Sequence, residues 1–182
     1  RELNGAPCWR GLAGYSLAGL FALYALYHTD CFARAATMSG SLWFPGFRDY
    51  ALSHPFCRRP DCVYFSLGRR ESKTRNPLLK TVGENTEALY RHCRALGIPS
   101  IFRYHPGNHY GHAVERTADG IACLLNPDAA EDPPAFYFCK ATPPQPAFSL
   151  LSAAVCFVFF RGRRRGPGRR GPAICIRSAP CW

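Results

Sequence analysis

Between Trp9 and Leu125 the chain alternates short apolar segments with segments of helical spacing, and this alternation restricts its fold more than any other feature. Parallel strands need a long crossover between them, usually a helix, so the repetition specifies a parallel sheet flanked by helices. "WRGLAG" (9–14) reads as a short buried strand, and "LAGLFALYALY" (17–27) is apolar nearly all round, as a largely buried helix must be. "ARAATMSG" (33–40) and "CVYFSLG" (62–68) supply the next two strands. Asn76 and Pro77 offer an N-cap and a first-turn proline to a helix that Leu78, Leu79, Val82, Leu89, Cys93 and Leu96 carry as far as Gly97, with Gly83 weakening it. "SIFRY" (100–104) alternates as a strand, and "AVERTADGIACLL" (113–125) forms a closing helix ended by Asn126 and Pro127. The order corresponds to the C-terminal half of a doubly wound α/β sheet, with an insertion between the second and third strands.

After residue 125 this pattern dissolves. Residues 126–182 are rich in proline and arginine, hold nothing amphipathic, and are expected to be a disordered or aberrant extension of a partial α/β domain at 1–125. The formal charge of +11 divides accordingly: 15 basic against 9 acidic residues up to Leu125, and 8 against 3 beyond it. Six arginines fall in "RGRRRGPGRR" (161–170), a run able to touch phosphates or acidic lipid, but no stacking aromatics interleave them, so no specific nucleic-acid binding is expected. The run "FSLLSAAVCFVFF" (148–160) is 13 residues long, short of the ~20 that a helical membrane span requires. The 10 cysteines include no C-x-x-C pair, which argues against a structural metal site, and most of those before 125 read as small buried hydrophobes. Their spacing leaves the redox compartment open, with the cytoplasm slightly favoured.

Chemistry in such a sheet belongs to the loops at the carboxyl ends of the strands. Ser16, in "GYSLAG" (14–19), follows the first strand directly, where it is either a nucleophile on a strand-to-helix elbow or the N-cap of the helix. The elbow pattern Gly-x-Ser-x-Gly has alanine at its last position here, Ala18, at a cost of one methyl in a crowded turn. His109, in "YHPGNHYGH" (104–112), follows the last strand, where a base in Ser, acid, His chain order would lie. Glu71, in "SLGRRES" (66–72), sits just past the third strand on the same edge, as a catalytic acid or as a surface partner of Arg69 or Arg70, whereas Asp61 precedes that strand and falls on the opposite edge.

Four ordered blocks, "GYSLAGLFALYAL", "MSGSLWFPGF", "YFSLGRRESKTRNPLL" and "YHPGNHYGHAVERTADGIACLL", resemble the esterase family of α/β hydrolases that contains enterochelin (siderophore) esterases and esterase D-like enzymes. The resemblance covers about residues 8–125 and implies a serine ester hydrolase with Ser16 as nucleophile, His109 as base and Glu71 as the acid. It also implies the Leu17 N–H as an oxyanion donor, and Trp43 and Tyr15 as substrate-pocket residues. The implied substrate is a small-molecule or saccharide-linked ester, and no cofactor or metal is involved. The chain resembles only the C-terminal half of such a domain, so the first strands and the loop giving the second oxyanion donor are expected to be missing, leaving an exposed sheet edge and weak or no activity. The rival expectation is a non-catalytic fragment whose basic tail binds acidic partners non-specifically.

Overall fold

The computed structural model describes residues 9–127 and 158–162. Strands β1 (Trp9–Tyr15), β2 (Arg34–Met38), β3 (Cys62–Gly68) and β4 (Ser100–His105) are parallel neighbours in the order β4-β3-β2-β1. Helices α1 (Leu17–His28), α2 (Phe47–Ser53), α3 (Pro77–Lys80), α4 (Val82–Ala95) and α5 (Ala113–Leu125) connect and follow them.

Strand alternation divides the core between two faces. On one side Ala35, Val63 and Phe65 meet Leu20, Leu23 and Leu26 of α1, Phe47 and Ala51 of α2, and Leu89 and Cys93 of α4. On the other, Ala13, Ala36, Met38 and Tyr64 meet Cys123 and Leu124 of α5. Helices on both faces leave β3 buried along its whole length, which is why its sequence is a nearly continuous apolar run, broken only by the buried Ser66, rather than alternating.

The helix expected after Asn76 is two helices divided at Thr81. Asn76 caps the first, its side chain accepting from the Leu78 and Leu79 N–H groups. The break brings the first turn of α4 onto Ser72, whose Oγ accepts from the Gly83 N–H at 3.2 Å, and a Cβ at Gly83 would lie 2.7 Å from that oxygen. The glycine that weakened the periodic reading is thus a contact between α4 and the turn carrying Glu71. Within the insertion, α2 was not legible in the sequence: it spans seven residues and buries only Phe47 and Ala51.

A fifth strand, β5 (Val158–Gly162), pairs antiparallel with β1, from Trp9 opposite Gly162 to Ala13 opposite Val158. The edge of β1 expected to lie exposed is therefore covered by the chain's own C-terminal segment, which satisfies the backbone groups of that edge internally. The remainder of the expected extension lies outside the described residues, as does most of the apolar run 148–160. Among the described residues no helix is long and apolar enough to cross a membrane, and no cluster of potential metal ligands occurs. Cys62, Cys93 and Cys123 are buried, as small hydrophobes would be, whereas Cys31 and Cys57 are exposed, and none of the five is in a disulfide.

Candidate active site

Parallel pairing brings the carboxyl ends of all four strands to one edge: Tyr15 lies beside Met38, Met38 beside Ser66, and Gly68 beside His105. Ser16 emerges there with φ 56° and ψ −121°, a conformation that a residue with a Cβ adopts only under strain of about 1–3 kcal/mol. The turn is over-determined by its surroundings. The Ser16 N–H donates to Met38 O (3.0 Å), and the Ser16 carbonyl accepts from the N–H groups of Gly19, Leu20 and Ser41. Small residues make this possible: a Cβ on Gly14 would lie 2.2 Å from the Ala18 carbonyl oxygen, and one on Gly19 would lie 2.8 Å from Thr37 Oγ1 and 2.9 Å from Gly40 Cα. Ala18 is buried within this turn without displacing it.

Ser16 occupies the N-cap position of α1, but its side chain makes no cap hydrogen bond. Its Oγ lies instead 3.1 Å from His109 Nε2 and 3.4 Å from Ser41 Oγ. The other imidazole nitrogen, Nδ1, is 2.8 Å from Glu71 Oε2. A carboxylate facing Nδ1 assigns the proton to that nitrogen and leaves Nε2 as acceptor for the Ser16 hydroxyl. Ser16, His109 and Glu71, contributed by three strand ends, thus form one continuous hydrogen-bonded chain.

Glu71 is held more firmly than its position in a turn suggests. Its side chain is 4% exposed, and Oε1 accepts from the Gly68 N–H (2.6 Å), Ser39 Oγ (2.8 Å) and Arg116 Nη1 (2.8 Å). Burial pushes its carboxyl up, but hydrogen bonds from His109, the Gly68 N–H and Ser39 outweigh that effect and hold it below the ordinary carboxylate range. Neither Arg69 nor Arg70 is its partner. Their backbone N–H groups instead donate to the carbonyls of His105 and Gly107, joining the acid's turn to the histidine's loop.

Leu17, the first residue of α1, has an N–H in the helix's first turn, where backbone donors lack intrahelical acceptors. Its side chain is exposed. Trp43 is half-buried in the turn after β2. The Tyr15 hydroxyl is directed into the protein, donating to His109 O at 2.5 Å and accepting from Arg116 Nη1 at 3.1 Å, and burial raises its pKa. Sequence reading missed Ser39, Ser41 and Arg116. Arg116 had a legible signal: it occupies the same face of α5 as Gly120, Cys123 and Leu124, all buried, where an arginine needs a reason. Ser39 and Ser41 had only their place after a strand end.

A parallel sheet with helices on both faces, and a strained serine turn leading from strand to helix, define the C-terminal portion of an α/β-hydrolase fold. The siderophore hydrolase EstA from Aspergillus nidulans is similar at a TM-score of 0.52 and 23% identity, over 64% of this chain and 47% of EstA. The enterobactin esterase FES from Shigella flexneri follows at 0.49 and 24%, over 63% of this chain and 31% of that one. An IroE-like serine hydrolase from Shewanella oneidensis stands at 0.49 and 18%, over 62% and 38%. The chain thus spans about half the length of EstA, and less of the other two. No family model and no curated protein matches it.

Proposed function

We propose that this chain is a serine ester hydrolase acting on small carboxylic esters, saccharide-linked ones included, through an acyl-enzyme. The observation that carries the reading is the chain from Ser16 Oγ through His109 to Glu71, built on a strained turn whose serine caps nothing. Ser16 Oγ attacks the ester carbonyl while its proton passes to His109 Nε2. Glu71 keeps the imidazole in the tautomer able to accept it and balances the imidazolium that forms. The tetrahedral intermediate collapses, the alcohol departs with the proton from His109, and a water activated by the same nitrogen then releases the acid. The Leu17 N–H faces the developing oxyanion, and Trp43 and the Tyr15 ring border the substrate.

Residues 1–125 make up the hydrolase unit in this reading, and 126–182 an extension beyond it. A complete oxyanion hole needs two donors, and losing one costs about 10²–10³ in rate. The Leu17 N–H is the donor supplied by the elbow in this reading. Purified protein is therefore expected to hydrolyse p-nitrophenyl acetate, with Ser16→Ala reducing the rate to that of the ester in buffer. Equal rates for the folded wild type and the folded variant would refute the proposal and favour a non-catalytic fragment.

A further inference from the structure

The hydrolytic reading uses Ser16, His109 and Glu71 but leaves a guanidinium in the same region without a task. Arg116 is 0% exposed and the largest fully buried side chain of the described residues. A charge is costly to bury unless every contact repays it, and replacing such pairs by apolar residues is often neutral or stabilising. Its contacts point to more than charge balance. Nη1 donates to Glu71 Oε1 (2.8 Å), Ser39 Oγ (2.6 Å) and Tyr15 OH (3.1 Å). Nη2 donates to the carbonyls of Pro106 (3.1 Å) and Asn108 (2.8 Å). Tyr15 extends the reach by donating in turn to His109 O. One planar group thus touches the acid, the residue preceding the nucleophile, and the loop that carries the base.

We propose that Arg116 is a positioning residue: its guanidinium ties the Glu71 carboxylate to the 106–109 backbone, so that Nδ1 of His109 stays on Glu71 and Nε2 stays aimed at Ser16. The surrounding packing is shaped for this group. A Cβ on Gly68 would lie 2.6 Å from Arg116 Nη2 and 2.8–2.9 Å from the carbonyls of Gly107 and Asn108. One turn beyond Arg116, a Cβ on Gly120 would lie 2.5 Å from Met38 Sδ, so the glycine lets α5 approach the sheet closely enough for the guanidinium to reach all five acceptors. A lysine would keep the charge beside Glu71 but, as a single ammonium, lacks the fork needed to hold the carboxylate and the loop carbonyls together.

The proposal rests on the esterase reading for its effect on rate, but not for its effect on the imidazole, and the test separates the two. Long-range ¹⁵N NMR of His109 in its neutral form reads the tautomer, and ester turnover is measured alongside. Wild type is expected to hold the Nδ1–H tautomer alone. Arg116→Lys is expected to give a mixture of tautomers and a fall in kcat of about tenfold or more, with KM within about twofold. Tyr15→Phe removes the hydroxyl that accepts from Arg116 Nη1 and donates to His109 O, and is expected to move both readouts in the same direction by less, which keeps the proposal testable if the Lys variant does not fold. The proposal is overturned if wild type already holds a mixture, or if folded variants keep a single tautomer. It is equally overturned if, in an active wild type, tautomer and rate do not change together. If wild type turns over no ester, the esterase reading fails while the tautomer readout still decides this one.

Discussion

The elbow around Ser16 and the arm carrying Glu71 and His109 meet at a single oxygen, but they are held by different means. The elbow is a backbone construction: main-chain hydrogen bonds to Met38, Gly19, Leu20 and Ser41 fix it, and Gly14 and Gly19 let the strand and helix approach. The arm is a side-chain construction, in which Ser39 from the end of β2, Tyr15 from β1 and Arg116 from α5 converge on a carboxylate and a loop. Backbone constructions need particular residues at adjacent positions and so leave a local signature. Side-chain constructions need particular residues at distant positions, and each member looks ordinary alone.

Breaking the elbow should therefore have the larger effect. Gly14→Val puts branched carbons where a Cβ already lies 2.2 Å from the Ala18 carbonyl oxygen, a backbone group unable to give way. The expected outcome is a loss of more than about 2 kcal/mol in chemical denaturation, or failure to fold. A midpoint unchanged from wild type would show that the elbow has more room than its contacts imply.

On the arm, Glu71→Gln keeps the shape but offers an amide where His109 Nδ1–H needs an acceptor, favouring the wrong tautomer. Turnover is expected to fall by about 10²–10⁴-fold with the protein folded. The same variant tests the charge. Because the carboxyl of Glu71 is lowered in the folded protein, its stabilising contribution is complete above its ordinary value of 4.5 and is lost as pH falls through the lowered one. The stability gap between wild type and Glu71→Gln should thus be wide at neutral pH and close in acid, as followed by denaturant midpoints across that range. A gap independent of pH would mean that Glu71 stabilises by packing rather than by ionisation.

The smallest effect belongs to Ser39→Ala, which removes one of four donors to the Glu71 carboxylate while leaving Gly68, Arg116 and His109 in place. A few-fold loss in kcat is expected, and the carboxyl of Glu71 should rise toward its ordinary range, so that the acid loss of stability begins at higher pH than in wild type, since this hydrogen bond favours the ionised form. A loss as large as that of Glu71→Gln would make the arm a single cooperative network rather than a set of separable supports.

These two constructions explain what was legible in the sequence. The four parallel strands, α1 and α5 followed from apolar runs bounded by turn residues, and the strand ends placed Ser16, Glu71 and His109 on one edge. That Ser16 makes no cap hydrogen bond and faces His109 instead is set by its dihedral angles and its partner, which no local pattern specifies. The division of the helix at Thr81 was hidden because the contact it permits, between Gly83 and Ser72, joins residues on separate turns. Strand β5 was hidden because its pairing with β1 is a long-range event, and its residues close an apolar run that carries no alternating pattern of its own.

The central claim is that Ser16 Oγ is a nucleophile activated by His109. Incubation of the native chain with a fluorophosphonate, followed by intact mass and peptide mapping, tests it directly. The account predicts one phosphonyl adduct, located on Ser16, and its disappearance in His109→Ala with the fold retained. A folded chain that takes up no label, or takes it up equally without His109, would contradict it.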